Sequence, residues 1–120
     1  MHTLGLALVL VVAAIHAYIL VLEMFLWQTE RGRRAFGTDQ AFADQSATLA
    51  ANQGLYNGFL AAGLVWGALA ADPVGFQVRV FFLGCVIVAG VYGALTVSRR
   101  ILVVQAAPAI LALAVVLLAG

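Results

Sequence analysis

The sequence predicts an all-α fold, a bundle of four transmembrane helices that run up, down, up and down. Of its 120 residues, 65% are hydrophobic and 9% are charged, far from the balance of a soluble domain. Four long apolar stretches follow one another, and the length of each is close to or above the roughly 20 residues that a helix needs to cross a bilayer. We therefore expect one integral membrane domain, residues 1–120.

Polar or turn-forming residues separate the four predicted spans. The spans cover residues 4–27, 49–71, 76–97 and 101–118, and a polar link occupies residues 28–48. Asp72-Pro73 ends the second span because proline cannot continue a helix, and Ser98-Arg99-Arg100 ends the third. Pro108 lies inside the fourth span, where neighbouring helices favour a kink over a break.

The polar link begins with Arg31-Gly32-Arg33-Arg34, which we interpret as a stop at the membrane interface. Thr38 then offers an N-cap for a helix that starts near Asp39. Phe42, Leu49 and Tyr56 recur every seven residues, so one helix face continues from the link into the second span. We expect this second helix to extend into the cytoplasm.

The arginines predict the orientation of the bundle. Arg31, Arg33 and Arg34 in the first link lie on the same side as Arg99 and Arg100 in the third, with Arg79 near the opposite face. Because cytoplasmic loops of membrane proteins are enriched in arginine, both termini should lie outside the cytoplasm.

Two ionisable residues, His16 and Glu23, interrupt the first apolar span. A charged side chain at mid-bilayer costs about 2.5 to 3.5 kcal/mol even on insertion scales, so such residues usually face protein or trapped water. On a helix, one stripe about 60° wide contains His16, Leu20, Glu23 and Trp27. We expect the other helices to supply partners for that stripe.

Polar side chains from all four predicted helices fall at a similar depth in the cytoplasmic half of the membrane. At 1.5 Å per residue they lie about 5 to 12 Å from the inner boundary, with His16 about 16 Å deep. This convergence predicts a polar pocket. Its predicted catalytic residues are Glu23 and Tyr56, and its predicted ligand-binding residues are His16, Trp27, Asn52, Gln53, Asn57, Tyr92 and Gln105.

Acid–base chemistry is one use of this pocket. Apolar surroundings disfavour the charged form of the Glu23 carboxyl, which suits proton transfer near neutral pH. Tyr56 and Asn57 could then orient a carbonyl, epoxide or hydroxyl of a small lipophilic or amphipathic molecule, in an isomerase- or hydrolase-like reaction. Whether the protein is an enzyme stays open at this point.

Two other functions fit the same residues. In a proton-coupled transporter, Glu23 would bind a proton and a substrate in turn. In a membrane assembly protein without a ligand, amides would only bond helices together, and small residues would form homo-oligomer contacts. Three small-residue pairs also fit close packing between helices of the bundle, namely Gly54 with Gly58, Gly63 with Gly67, and Gly90 with Ala94.

The sequence predicts no metal, no cofactor and no nucleic-acid partner. His16 and Glu23 lie about 10.5 Å apart along a helix, too far to chelate one ion. No basic face is available to bind nucleic-acid phosphates. Membrane lipid and a small lipophilic ligand or substrate are the expected partners.

Two blocks of sequence carry a family resemblance. His16-x-Tyr18-x-x-x-x-Glu23-Met24-Phe25-Leu26-Trp27, followed by the segment from Asn52 to Leu64, resembles the small bacterial membrane proteins of the domain-of-unknown-function 1304 family. The resemblance implies a four-span protein of the bacterial inner (plasma) membrane, and it brings no established activity or catalytic residues.

Overall fold

The computed structural model describes the backbone of residues 1–120 and the side chains of residues 1–100 and 103–120. The fold is all-α, as the sequence predicts, with 86% of the chain helical. The elements are α1 (His2–Met24), α2 (Glu30–Phe36), α3 (Gln40–Leu69), α4 (Val74–Thr96), α5 (Arg99–Ile101), a π-helix (Leu102–Ala106) and α6 (Ala107–Ala119).

The first helix ends three residues before the predicted boundary, and the separate helix α2 follows it. Thr29 caps α2, because its hydroxyl accepts a hydrogen bond from the backbone N–H of Gly32 at 3.3 Å. Gly37 ends α2 in the left-handed conformation, with φ of 69°. The arginine-rich stretch is therefore a capped helix, and its place as a stop at the membrane interface remains a prediction.

Helix α3 begins one residue after the predicted start. The Asp39 carboxylate accepts a hydrogen bond from the N–H of Phe42 at 2.8 Å, so Asp39 and not Thr38 is the capping residue. With 30 residues, α3 is about 45 Å long at 1.5 Å per residue. It therefore has length for both a bilayer crossing and an extension beyond it.

The backbone remains helical through the region around Pro108, as expected. Proline lacks an N–H and its ring collides with the carbonyl four residues earlier. The wider π turn at Leu102–Ala106 lies directly before this position, between α5 and α6. The π turn accommodates the missing hydrogen bond without ending the helix.

Within the described residues, two helices are long and apolar enough to cross a membrane, namely α1 and α4 with 23 residues each. In α3, the amides Asn52, Gln53 and Asn57 lower the hydropathy. The apolar part of the last helix, Val103–Ala119, is shorter than α1 and α4.

The chain forms two compact units. The first comprises Met1–Ile15 with Leu60–Gly120, and the second comprises His16–Phe59. Buried aliphatic residues form the core of the first unit, among them Val9, Val12, Leu64, Leu83, Val86, Ala109, Ala112 and Val116. In that unit Gly63 packs on the ring of Phe82, and Gly90 packs on Ala106, where an added Cβ would meet the Ala106 backbone nitrogen at 2.9 Å. These glycines are helix-packing sites, as their spacing predicts.

Candidate functional site

A hydrogen bond between Glu23 and Asn57 is the centre of the candidate site. The Asn57 amide Nδ2 donates to Glu23 Oε1 at 2.5 Å and also to the backbone carbonyl of Gln53 at 3.2 Å. Glu23 and Asn57 are both half-buried. The structure thus brings together the predicted acid and one of its predicted polar partners.

Two glycines explain why these side chains meet. A Cβ on Gly54 would lie 2.5 Å from Met24 Cγ and 3.1 Å from Glu23 Cβ, and one on Gly58 would lie 2.7 Å from Leu20 Cδ1. Because glycine has no side chain, α3 approaches α1 closely here. The predicted Gly54-x-x-x-Gly58 pair is therefore confirmed as a packing surface, and it lies directly beside the acid.

The Glu23 carboxyl has one oxygen engaged and one oxygen available. Oε1 accepts the Asn57 amide, whereas Oε2 makes no hydrogen bond with any residue that the structure describes. Since a carboxyl oxygen can accept a hydrogen bond or carry a proton, Oε2 is the atom that can meet a ligand.

Trp27 and His16 belong to the second unit. The Trp27 indole N–H donates to Ser46 Oγ at 3.0 Å, and its ring lies 4.9 Å from the ring of Phe36. His16 is 1% exposed, so its imidazole is enclosed by protein. Trp27 therefore connects the end of α1 to α2 and α3, and its ligand-binding role remains a prediction.

Asn52, Gln53 and Tyr56 lie on the exposed part of α3. Tyr56 is 56% exposed, and its ring meets that of Phe59 edge-on at 5.8 Å. Phe59 is exposed on the same side of α3. Tyr56 lies about 160° around the helix from both Gly54 and Gly58, which face α1. The catalytic role of Tyr56 and the ligand-binding roles of Asn52 and Gln53 remain predictions.

Tyr92 and Gln105 belong to the first unit. Tyr92 is 69% exposed near the end of α4, and Gln105 is half-buried within the π-helix. Their assignment to a shared pocket remains a prediction.

Arg79 in α4 is a buried charge that the sequence analysis used for orientation alone. It is 4% exposed, donates from Nη1 to the carbonyl of Gly67 at 2.8 Å, and pairs through Nη2 with Asp72 Oδ1 at 3.0 Å. A cavity of about 20 Å³ adjoins it, lined also by His2 and Phe76. The sequence did contain a signal for this pair, because Arg79 lies within the predicted span 76–97, where a charged side chain needs a partner just as Glu23 does.

The donor sets of the described side chains do not suit a metal. Among residues 1–100 and 103–120, no three His, Cys, Asp or Glu side chains cluster closely enough to hold an ion.

Comparison with known proteins identifies the family to which the chain belongs. The model of the family described as Protein of unknown function (DUF1304) matches residues 10–117. The chain belongs to the DUF1304 family. The uncharacterized protein YpaA of Lactococcus lactis subsp. lactis (strain IL1403) is similar to it, with 34% identity over 115 residues that cover 94% of this chain and 96% of YpaA. No solved structure matches the chain. The matched region of the DUF1304 model includes Glu23, Gly54 and Asn57.

Proposed function

We propose that this DUF1304 protein is an integral protein of the bacterial plasma membrane that binds a small lipophilic or amphipathic molecule at Glu23 and Asn57. In this proposal Glu23 exchanges a proton with the bound molecule, and Asn57 holds the carboxyl in position. An isomerase- or hydrolase-like reaction on a substrate dissolved in the membrane is the chemistry that fits these groups.

The distribution of apolar side chains supports the membrane location. Large aliphatic residues are exposed along the long helices, for example Leu69 at 79%, Leu95 at 81%, Leu118 at 76% and Val88 at 69%. Soluble monomers rarely expose apolar surface on this scale. Lipid tails would cover these side chains without cost.

The proposal includes four crossings in an up-down-up-down bundle, with both termini outside the cytoplasm. Helices α1 and α4 have the length and apolarity for two crossings. Helix α3 and the helical run from Arg99 to Ala119 supply the other two, because their polar residues can face protein instead of lipid. The arginines within the first and third links favour the cytoplasmic side for those links.

One observation carries the binding function. Glu23 is half-buried in the helix that is the more hydrophobic of the two candidate spans, and its Oε2 has no hydrogen-bonding partner in the described part of the chain. A carboxyl in such a place needs a second partner or a proton. A ligand with a hydroxyl, carbonyl or basic nitrogen would supply either.

A second function is favoured by the directness of the Glu23–Asn57 bond. In an assembly protein without a ligand, the amide and the carboxyl would simply hold α1 against α3. The side chains form this hydrogen bond directly, with no molecule between them. The two functions differ in one expectation: a ligand-binding protein should co-purify with a specific small molecule, and an assembly protein should not.

Mass spectrometry of molecules that co-purify with the protein after mild lipid extraction tests the proposal. We expect one non-phospholipid compound in near-stoichiometric amount with the wild type, and its loss in Glu23→Ala. Glu23→Gln keeps an acceptor for Asn57 but cannot exchange a proton, so it should fold normally and lack turnover. Glu30→Gln, which changes an exposed glutamate outside the site, serves as the matched control.

The ligand hypothesis is wrong if the wild type and both Glu23 variants carry the same molecules in the proportions of the bulk membrane. In that case Glu23 and Asn57 form a structural brace. The brace predicts that Glu23→Ala loses stability and Glu23→Gln does not.

A further inference from the structure

Helix α2 is held firmly against the end of α1. Gly32 packs on the α1 end so closely that an added Cβ would lie 2.8 Å from the carbonyl carbon of Leu26 and 3.0 Å from Trp27 Cα. The Phe36 ring also contacts the Trp27 ring at 4.9 Å. The position of α2 is therefore fixed immediately beyond the apolar part of the first helix.

The other side of α2 presents arginines to the surroundings. Arg34 lies about 160° around the helix from Gly32, with Arg31 on the flank. The side chain of Arg34 is 77% exposed and pairs with Glu30, whereas Arg31 is exposed and has no hydrogen bond or ion pair with a described residue. The open space against this face, about 420 Å³, is lined by Glu30, Arg31, Arg34 and Ala35.

The charge of α2 is high for its length. Three of the six basic residues of the chain lie within its seven positions, against one acid. Arg33 is turned partly inward, where its Nε donates to the carbonyl of Gln28 at 3.3 Å. Arg31 and Arg34 are thus the two cations left to meet a partner, and Glu30 competes for one of them.

We propose that this arginine face, Arg31 and Arg34, binds the phosphate headgroup of an anionic phospholipid. The guanidinium group matches phosphate oxygens in bidentate geometry. A basic segment directly beyond an apolar helix lies in the headgroup layer, where each arginine attracts anionic lipid. Trp27 is the kind of aromatic residue that marks this interface. The inference rests on the proposed membrane location but not on a ligand at Glu23.

Titration of the detergent-solubilised full chain with phosphatidylglycerol or phosphatidylcholine, read by native mass spectrometry, tests this inference. We expect phosphatidylglycerol to bind more tightly than phosphatidylcholine. An arginine near an anionic surface contributes about five-fold to affinity, so Arg31→Gln should weaken phosphatidylglycerol binding by about five-fold and the double variant R31Q/R34Q by about 25-fold.

Two further variants make the test specific to this face. Glu30→Gln releases Arg34 and should strengthen phosphatidylglycerol binding by a few-fold. Arg99→Gln removes another exposed arginine that has no hydrogen bond or ion pair with a described residue, and it should change binding by less than two-fold. Circular dichroism should show unchanged helix content in all of them, because these side chains lie on the surface.

Equal binding of the two lipids, or undiminished phosphatidylglycerol binding in R31Q/R34Q, would overturn the inference. Competition with inorganic phosphate is a further test. If phosphate displaces phosphatidylglycerol at equal concentration, the arginine face binds a free anion and the lipid assignment is wrong. Failure of the protein to float with lipid vesicles would instead contradict the membrane location. Glu23→Gln should leave phosphatidylglycerol binding unchanged, which separates this inference from the ligand at Glu23.

Discussion

The side-chain amide of Asn57 and the carboxyl of Glu23 meet at 2.5 Å although 34 residues separate them in the chain. Without Asn57, the half-buried Glu23 carboxyl would have no hydrogen-bond donor among the described residues. Together they satisfy one donor and one acceptor and leave Glu23 Oε2 for a further interaction. The bond therefore serves both as a contact between α1 and α3 and as the positioning element of the proposed site.

Removing the amide should weaken the contact between α1 and α3. Asn57→Ala leaves Glu23 Oε1 without its donor and should lower the free energy of unfolding by about 1 kcal/mol. Asn52→Ala removes an exposed amide five positions earlier on the same helix and should be nearly neutral. Unfolding in mixed detergent micelles measures both, and equal losses in the two variants would contradict the importance of the Glu23–Asn57 bond.

The glycine opposite the acid should not tolerate a methyl group. Gly54→Ala places a Cβ within 3.1 Å of Glu23 Cβ and 3.2 Å of the Leu20 carbonyl, so the helices must separate. We expect a loss of about 1 to 3 kcal/mol in the free energy of unfolding. Gly84→Ala is the matched control, since nothing lies within 4 Å of the Cβ it would add. Equal midpoint temperatures of thermal unfolding for Gly54→Ala and Gly84→Ala would show that α1 and α3 do not pack closely at Gly54.

Helix α2 should depend on the cap that begins it. Thr29→Ala removes the hydroxyl that accepts the Gly32 N–H and donates to the Leu26 carbonyl at 2.6 Å. The expected loss is about 1 kcal/mol of local stability, which hydrogen exchange of the α2 amides would record as roughly five-fold faster exchange. Thr48→Ala, on the exposed face of α3, should leave those exchange rates unchanged.

Much of the helical framework was accessible from the sequence because its signals are local. Apolar length predicted α1 and α4, the Asp72-Pro73 pair marked the turn between α3 and α4, and the spacing of Gly54 and Gly58 identified a packing surface. Helix α2 also had local signals, with Thr29 before it and Gly37 after it. Its three arginines suggested a stop, and that interpretation obscured a capped helix.

The side of α3 on which Tyr56 lies could not be predicted from local signals in the sequence. Phe42, Leu49 and Tyr56 are exposed, at 52%, 72% and 56%, while Gly54 and Gly58 face α1. The close approach of α1 at Gly54 determines which side of α3 faces α1. Predicting that side requires knowing which helix packs against α3.

The polar link should respond to acid through Asp44. Its carboxylate accepts hydrogen bonds from Gln28 Nε2 at 2.9 Å and from Gln40 Nε2 at 2.7 Å. These donors favour the ionised form and, with a weaker contribution from the Arg33 charge, hold the pKa of Asp44 below its ordinary value of 3.8. Because folding lowers this pKa, the stabilising effect is present above pH 3.8 and is lost as the pH falls through the lower, folded value.

Removal of either donor should raise the pKa of Asp44 toward 3.8, with the larger change for Gln28→Ala because the Gln28 hydrogen bond is the main cause of the shift. Gln45→Ala, the adjacent exposed amide, should leave the titration unchanged. Carbon-detected NMR of the aspartate carboxyls measures the midpoint directly. A wild-type midpoint at or above 3.8 would mean that the Gln28–Asp44 bond, which connects the loop after α1 to the start of α3, does not persist in solution.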